Sequence, residues 1–491
     1  MIEGRADSRK LTIKALGGLF WSYGALLSGR LVFFAATIVL ARLLEPADFG
    51  VVAFALAILA YASNVLSHGA TETLVYRRDA HDPRVASTVH WLACGAAIVL
   101  VAAVWLTAPL FADVSDDSSA TWVLRILSLQ LLMTAAVTVN GALLRHSLDF
   151  RRLFLPEQTG GLARGAVAII LAIRGAGAWS LVAGQLCGIA ATSLLLWIVG
   201  AWRPVRSFAR DEVPRILRTG AGFTAIAVLG EATRNVDFLI VGARLGTEQL
   251  GYYTLAFRLP ELAVLALFEV AWGVLFPYYS RLRESSEAPE DLTRRYLRTV
   301  RLGSLLAFPM AAALAGLAAP LVLILYGDKW EPSVVPLALV ALWAGLAAVT
   351  GMPGTLLKSQ GRTGLLTATL VFYLGILIPS LWFAADSGIN AVAGAHVAVQ
   401  VAYLLFLSGV VVHAFEIRWI ETVIAVFPGL VIAAGVGAAL FVLAEFAPAA
   451  LAVAAGVPCG LGLYALGLRL VARDDFHALR SLVSELRASR G

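Results

Sequence analysis

The chain has 491 residues, 59% hydrophobic and only 14% charged, with mean hydropathy +0.82 and a formal net charge of +6. Water-soluble globular proteins carry about 25% charged residues, so this chain has too little polar surface to cover itself in water, and a bilayer must be its solvent. Basic loops lying beside anionic lipid account for the sequence pI of 9.3 without any nucleic-acid partner.

A membrane-crossing helix needs about 20 mostly apolar residues. After a polar, basic N-terminal segment (1–15), windows of that size predict fourteen spans. Their ends lie near 16–41, 51–70, 86–109, 122–144, 157–173, 179–201, 216–242, 253–279, 299–325, 333–357, 364–384, 389–412, 422–444 and 450–470. Span 1 carries Arg30 near its centre, and span 2 carries Asn64 and His68. Span 4 holds Gln130 and Asn140, and the short span 5 holds Arg164. In span 7, Glu231, Arg234 and Asp237 follow at three-residue spacing beside Asn235, a spacing that predicts one shared face. Span 8 has Glu269 deep, with Arg258 and Glu261 nearer its outer end. After span 14, Phe476, Leu479, Val483 and Leu486 recur at helical spacing among charges, which predicts an amphipathic tail at the membrane surface (473–491).

Loop charge tests this division independently, because Lys and Arg of short loops stay cytoplasmic. With the N-terminus inside, 29 of the 38 Lys and Arg fall in inner loops and tails, 5 in outer loops and 4 within spans. Removing one span would invert every later loop and destroy the bias. Fourteen spans with both termini cytoplasmic are therefore expected. Met1–Lys14 does not read as a cleavable signal peptide, since the apolar stretch behind it is too long.

The chain also resembles itself. Ala41-Arg42-Leu43 and Gly50 match Ala243-Arg244-Leu245 and Gly251. Gly141–Arg145 resembles Gly354–Lys358, and Gly177–Ala183 resembles Gly388–Ala393. The offsets are about 202, 213 and 211, in constant order, as one duplication predicts. The expected fold is an all-α membrane protein of two pseudo-symmetric six-helix bundles (16–210 and 211–415) plus a C-terminal helix pair (416–472).

Ionisable residues within spans cost about 2.5–3.5 kcal/mol each on insertion scales and face a partner or a wet cavity. Arg30, Arg164, Glu231, Arg234, Asp237 and Glu269 are thus cavity candidates, with an internal ion-pair network as the competing reading. Arg258 reads as a boundary residue, and Arg42 and Arg244 as the outer ends of equivalent helices. His68, His90 and His396 read as packed core or interface residues, and Asp113, Asp116 and Asp117 as a solvated outer turn. Cys94, Cys187 and Cys459 stand alone in apolar stretches as small core residues. No GxxxxGK[ST], HExxH or GxSxG motif is present, so an ATP-driven or hydrolytic reading has no support.

Gly17-Gly-Leu-Phe-Trp-Ser-Tyr23, Arg30 and the run Leu40-Ala-Arg-Leu-Leu-Glu-Pro-Ala-Asp-Phe-Gly50 resemble the polysaccharide (Wzx-like, oligosaccharidyl-lipid) flippases of the MOP superfamily, related in fold to lipid II flippases. The resemblance implies a bacterial inner-membrane transporter, not an enzyme, that moves undecaprenyl-diphosphate-linked oligosaccharide. Spans 13 and 14 would hold the lipid tail, with spans 1 and 8 flanking a portal. Arginine forks suit a diphosphate, and Asn64, Gln130, Asn140 and Asn235 are candidates for sugar hydroxyls. The implied partners are the lipid-linked oligosaccharide, membrane lipids, and a polymerase and glycosyltransferases of the same pathway. No cofactor is expected beyond a coupling ion, proton or sodium, for which Glu231, Asp237 and Glu269 are the candidates. The alternatives are a small-molecule or drug exporter of the same superfamily and a membrane glycosyltransferase or polymerase. Enzymes of that last class tend to carry a long outer loop, and the longest here is about a dozen residues (110–121).

Overall fold

A computed structural model describes residues 29–75, 82–115, 118–147, 149–284 and 289–473. The amphipathic tail beyond Arg473, Asp116 and Asp117 of the acidic turn, and residues 16–28 of span 1 lie outside the described residues. Among the described residues every regular element is helical, as lipid demands, because only a helix satisfies its backbone polar groups within one segment.

The first half comprises α1 (29–43), α2 (Pro46–Val75), α3 (Pro83–Ser115), α4 (Ser118–Ser128), α5 (Gln130–His146), α6 (Phe150–Ile173) and α7 (Ala178–Val199). The long run α8 (Val213–Pro260) is two helices meeting at Gly246, whose φ of 83° and ψ of 176° end the first and begin the second. A π turn (Glu261–Leu265) then leads into α9 (Ala266–Glu284). The remainder is α10 (Pro289–Gly316), α11 (Ala318–Leu325), α12 (Val334–Ser359), α13 (Thr363–Ala384), α14 (Ile389–Ala414), α15 (Trp419–Phe446) and α16 (Ala449–Val471). Proline opens α2, α3 and α10, at the helix position where its missing N–H is not needed.

Eleven stretches among the described residues are long and apolar enough to cross a bilayer. One of them, Val213–Arg283, contains two spans, which meet at Gly246. The described part of α1 and the 24-residue α6 bring the number to the expected fourteen. Two predicted spans are broken helices. Span 4 is α4 and α5, interrupted at Leu129, and span 9 is α10 and α11, interrupted at Leu317.

The chain forms two compact units, Met1–Gly251 and Tyr252–Gly491. In each, one helix pair packs most extensively, α6 along α7 and α10 along α15. Small residues allow this close approach, since helices in lipid associate largely through van der Waals contact. A Cβ on Gly188 would lie 2.9 Å from the Arg164 Cβ, and one on Gly429 would lie 2.6 Å from the Ser304 carbonyl oxygen. Around the second pair, Leu305, Ile432, Val436, Leu440 and Leu468 form a buried apolar cluster joining α10, α15 and α16.

The sequence pairs occupy matching places in the helices. Gly177 and Gly388 are the N-caps of α7 and α14, both with positive φ. Gly50 and Gly251 meet reciprocally inside the first unit. A Cβ on Gly50 would overlap the Thr247 carbonyl oxygen, and one on Gly251 would overlap that of Pro46. Pro46 and Thr247 stand four residues before their respective glycines, so each helix start packs on the other through the same pair of positions.

Candidate substrate-binding site

In the first unit, α2 and the first half of α8 present polar residues to one another. Tyr61 and Asn64 lie one turn apart on α2, and Glu231 and Asn235 one turn apart on α8. The Asn64 Nδ2 donates to Glu231 Oε2 at 2.8 Å and also to the Ala60 carbonyl at 3.0 Å. The Asn235 Nδ2 donates to Glu231 Oε1. Both carboxylate oxygens therefore accept from carboxamide donors. The two asparagine Oδ1 atoms remain as acceptors beside them. Tyr61 lies within electrostatic reach of both Glu231 and Asp237.

The expected triad on α8 does not share one environment. Glu231 is half-buried, Arg234 exposed and Asp237 1% exposed. Six residues at about 100° each rotate the third side chain about 120° from the first, so the single shared face predicted from the spacing gives way to a fan.

A second polar wall forms where α1 lies on α6. Arg164, half-buried, sits with its Cζ 5.9 Å from the Phe33 ring, and Arg30, also half-buried, stands one turn before Phe33 on α1. Gly188 of α7 leaves the space that the Arg164 stem crosses, and Gly29 faces the Gln158 carboxamide. Two membrane-depth arginines are thus brought to one helix interface.

The other candidates are placed elsewhere. Gln130, at the α4–α5 break, accepts a hydrogen bond from Gln185 Nε2 at 2.9 Å. Asn140 is 1% exposed and packs against Gly200 at the end of α7. Glu269 is half-buried on α9 in the second unit. Arg258 pairs with Glu261 at 3.3 Å where α8 meets the π turn.

The second unit holds a polar network absent from the sequence reading. Gln400 Nε2 donates to Thr350 Oγ1 at 2.9 Å, and the Tyr373 hydroxyl donates to Gln400 Oε1 at 3.1 Å. His396 is 2% exposed, with Nε2 3.5 Å from the same hydroxyl and its ring 4.8 Å from that of Trp343. His396, Gln400 and Tyr403 recur at i, i+4 and i+7 on α14, a stripe that would have marked this network. The packed-core reading of His396 matches its place, and His90 is likewise 5% exposed. No group of metal-ligating residues occurs among the described residues.

A further feature of the second unit is an apolar groove of about 540 Å³. Phe308 and Ala312 of α10, Leu346 of α12, Val397 of α14 and Ala434 and Phe441 of α15 are among its lining residues, all of them apolar. It contains span 13 but, unlike the pair expected from the resemblance, no residue of α16.

Residues 39–335, more than half of the chain, match the family described as polysaccharide biosynthesis protein. The chain belongs to that family. This polysaccharide biosynthesis protein is 25% identical to the lipopolysaccharide biosynthesis protein WzxC of Escherichia coli (strain K12), over 70% of its own length and 69% of the relative's. Its fold is similar to that of the lipid II flippase MurJ in an inward closed conformation, with TM-score 0.74 and 14% identity over 93% of this chain and 99% of the other. It is also similar to an inward-facing multidrug resistance MATE transporter of the MOP superfamily, with TM-score 0.63 and 15% identity over 79% of this chain and 95% of the other. The protein is thus a multi-pass membrane member of the polysaccharide biosynthesis family, with a fold similar to those of MurJ and the MATE transporter, and the Wzx-like resemblance drawn from its first spans stands.

Proposed function

We propose that the protein flips undecaprenyl-diphosphate-linked oligosaccharide repeat units across the bacterial cytoplasmic membrane for cell-surface polysaccharide synthesis. Both termini are cytoplasmic in this reading, and the bundles 16–210 and 211–415 work by alternating access. The observation that carries the proposal is one chain offering both kinds of surface that an amphiphile needs. An open groove with wholly apolar lining suits an isoprenoid tail, while membrane-depth arginines and the Glu231–asparagine cluster suit a diphosphate and sugar hydroxyls.

The roles divide by chemistry. Arg30 and Arg164 offset the desolvation of the diphosphate through forked, permanently charged donors. Asn64 and Asn235, locked in orientation by Glu231, offer carbonyl oxygens to sugar hydroxyls. Moving negative charge outward across an inside-negative membrane gains about 2.3 kcal/mol per charge per 100 mV, so the potential assists a dianionic headgroup. A returning proton or sodium ion would find its carboxylates in Glu231, Asp237 and Glu269.

Deletion tests the cargo. Loss of the protein should leave undecaprenyl-linked repeat units on the cytoplasmic side and stop polymer export. Unchanged polymer with new sensitivity to drugs would instead establish a small-molecule exporter. Filling the groove tests the tail. Ala434→Phe with Ala438→Phe, both at exposed positions on α15, should insert normally and cut export at least tenfold.

A further inference from the structure

The connection between α7 and α8 (residues 200–212) has no regular secondary structure, yet it is fixed to α3 at several points. The Val205 N–H donates to Ser87 Oγ at 3.0 Å, and the Ala209 N–H to Thr88 Oγ1 at 2.9 Å. Both hydroxyl residues are 0% exposed. The Trp91 indole N–H donates to the Val205 carbonyl at 3.3 Å, and the Trp202 ring meets that of His90 edge-on at 5.4 Å. Arg203 folds back, donating to the Gly200 carbonyl at 2.6 Å and lying over Trp197. Two buried hydroxyls, two tryptophans and an arginine are thus committed to holding a surface strap in one place.

That strap turns the opposite chemistry outward. Arg206 and Arg210 are exposed, as are Arg215 and Arg218 on the first turns of α8, against only Asp211 and Glu212 of opposite sign. Between the arginines stand exposed apolar side chains: Val205 at 41%, Phe208 at 44% and Leu217 at 56%. A solvated linker has no use for an outward phenylalanine, whereas at a membrane surface an aromatic ring enters the headgroup boundary while arginines reach lipid phosphates.

We infer that residues 205–218 form a binding site for anionic phospholipid headgroups of the inner leaflet. The site is independent of the cargo proposed above and requires only the inward position expected for this loop from the charge distribution. The strap is presented in one place, so the ordering cost is already met by the bonds to α3 and lipid need not impose it.

A site-specific reading uses the full-length protein with Cys94, Cys187 and Cys459 replaced by alanine and a fluorophore on Val205→Cys. In phosphatidylethanolamine vesicles, doxyl-labelled phosphatidylglycerol should quench it at several-fold lower mole fraction than doxyl-labelled phosphatidylethanolamine, and high salt should erase the difference. R206Q with R210Q should raise the half-quenching fraction of the anionic lipid several-fold, to that of phosphatidylethanolamine. Arg174→Gln, in an outer loop, should leave the curve unchanged. Equal quenching by the two lipids, or an anionic preference that survives R206Q/R210Q, would overturn the site. Both arginines are exposed, so a folding defect does not obscure the result.

Discussion

The two units solve the same problem, polar side chains at membrane depth, in opposite ways. In the first unit the polar groups are charged and half-buried: Glu231 gripped by Asn64 and Asn235, Arg164 beneath Phe33. In the second, Glu269 is half-buried on α9, but the main network is neutral and sealed, with Thr350, Gln400 and Tyr373 bonded in series and each no more than 5% exposed. A neutral network closed on itself specifies how α12, α13 and α14 pack, because any other register would strand a buried donor or acceptor. Charge kept partly open carries an insertion cost that packing alone does not require, and that cost is intelligible if a polar ligand meets it.

Substitution can break this contrast, most severely at Glu231. Glu231→Leu removes the acceptor for two carboxamides, so both asparagines lose their orientation. Hydrogen bonds to charged groups contribute about 1.5–3 kcal/mol each, and export should fall roughly a hundredfold while the protein still reaches the membrane. Export assays normalised to membrane protein level would check this, and near-normal export would reassign the cluster to helix packing. Arg164→Lys keeps the charge and loses the planar fork, and should cost roughly tenfold in the same assay. Restoration by lysine to full activity would mean that net charge alone suffices there. In the second unit, Gln400→Leu removes the acceptor of the Tyr373 hydroxyl and the donor to Thr350 Oγ1, and should destabilise by about 1–3 kcal/mol in thermal unfolding. Export per folded molecule should stay within about twofold, because the network serves packing. A specific transport defect with unchanged stability would merge the two units' roles.

Much of the fold was legible in the sequence because bilayer constraints are coarse. Hydropathy alone drew the spans, and the loop charges fixed their number without having been used to draw them. Even so, α6 falls below the hydropathy of the other spans, and only its packing along α7 makes it plain. The break at Leu129 has no flanking Gly or Pro, whereas the one at Leu317 directly follows Gly316 and lies three residues before Pro320. The site was legible as a set of residues but not as an arrangement. Ionisable residues announce themselves against an apolar background, whereas the bond from Asn64 to Glu231 joins residues 167 apart in sequence and depends on how α2 meets α8. Arg234 and Asp237 were grouped with Glu231 by spacing, yet helical rotation sends one outward and buries the other. The neutral network passed unnoticed because Thr, Tyr and Gln are common in spans, and only their period on α14 sets them apart.

The smallest expected effect is also the sharpest control on charge itself. Arg258 and Glu261 form an ion pair at 3.3 Å at the junction of α8 and the π turn, with side chains 28% and 42% exposed. The pair is charged like the first unit's cluster but lies in the second unit and engages an immediate helical neighbour. Exposed pairs contribute about 0.2–1 kcal/mol, and a partly solvated pair at i, i+3 sits at the low end. Arg258→Gln should therefore shift unfolding by less than about 1 kcal/mol and leave export unchanged. If export instead collapses as it does for Glu231→Leu, the Arg258–Glu261 pair must be serving the cargo and not only the junction of α8 and the π turn.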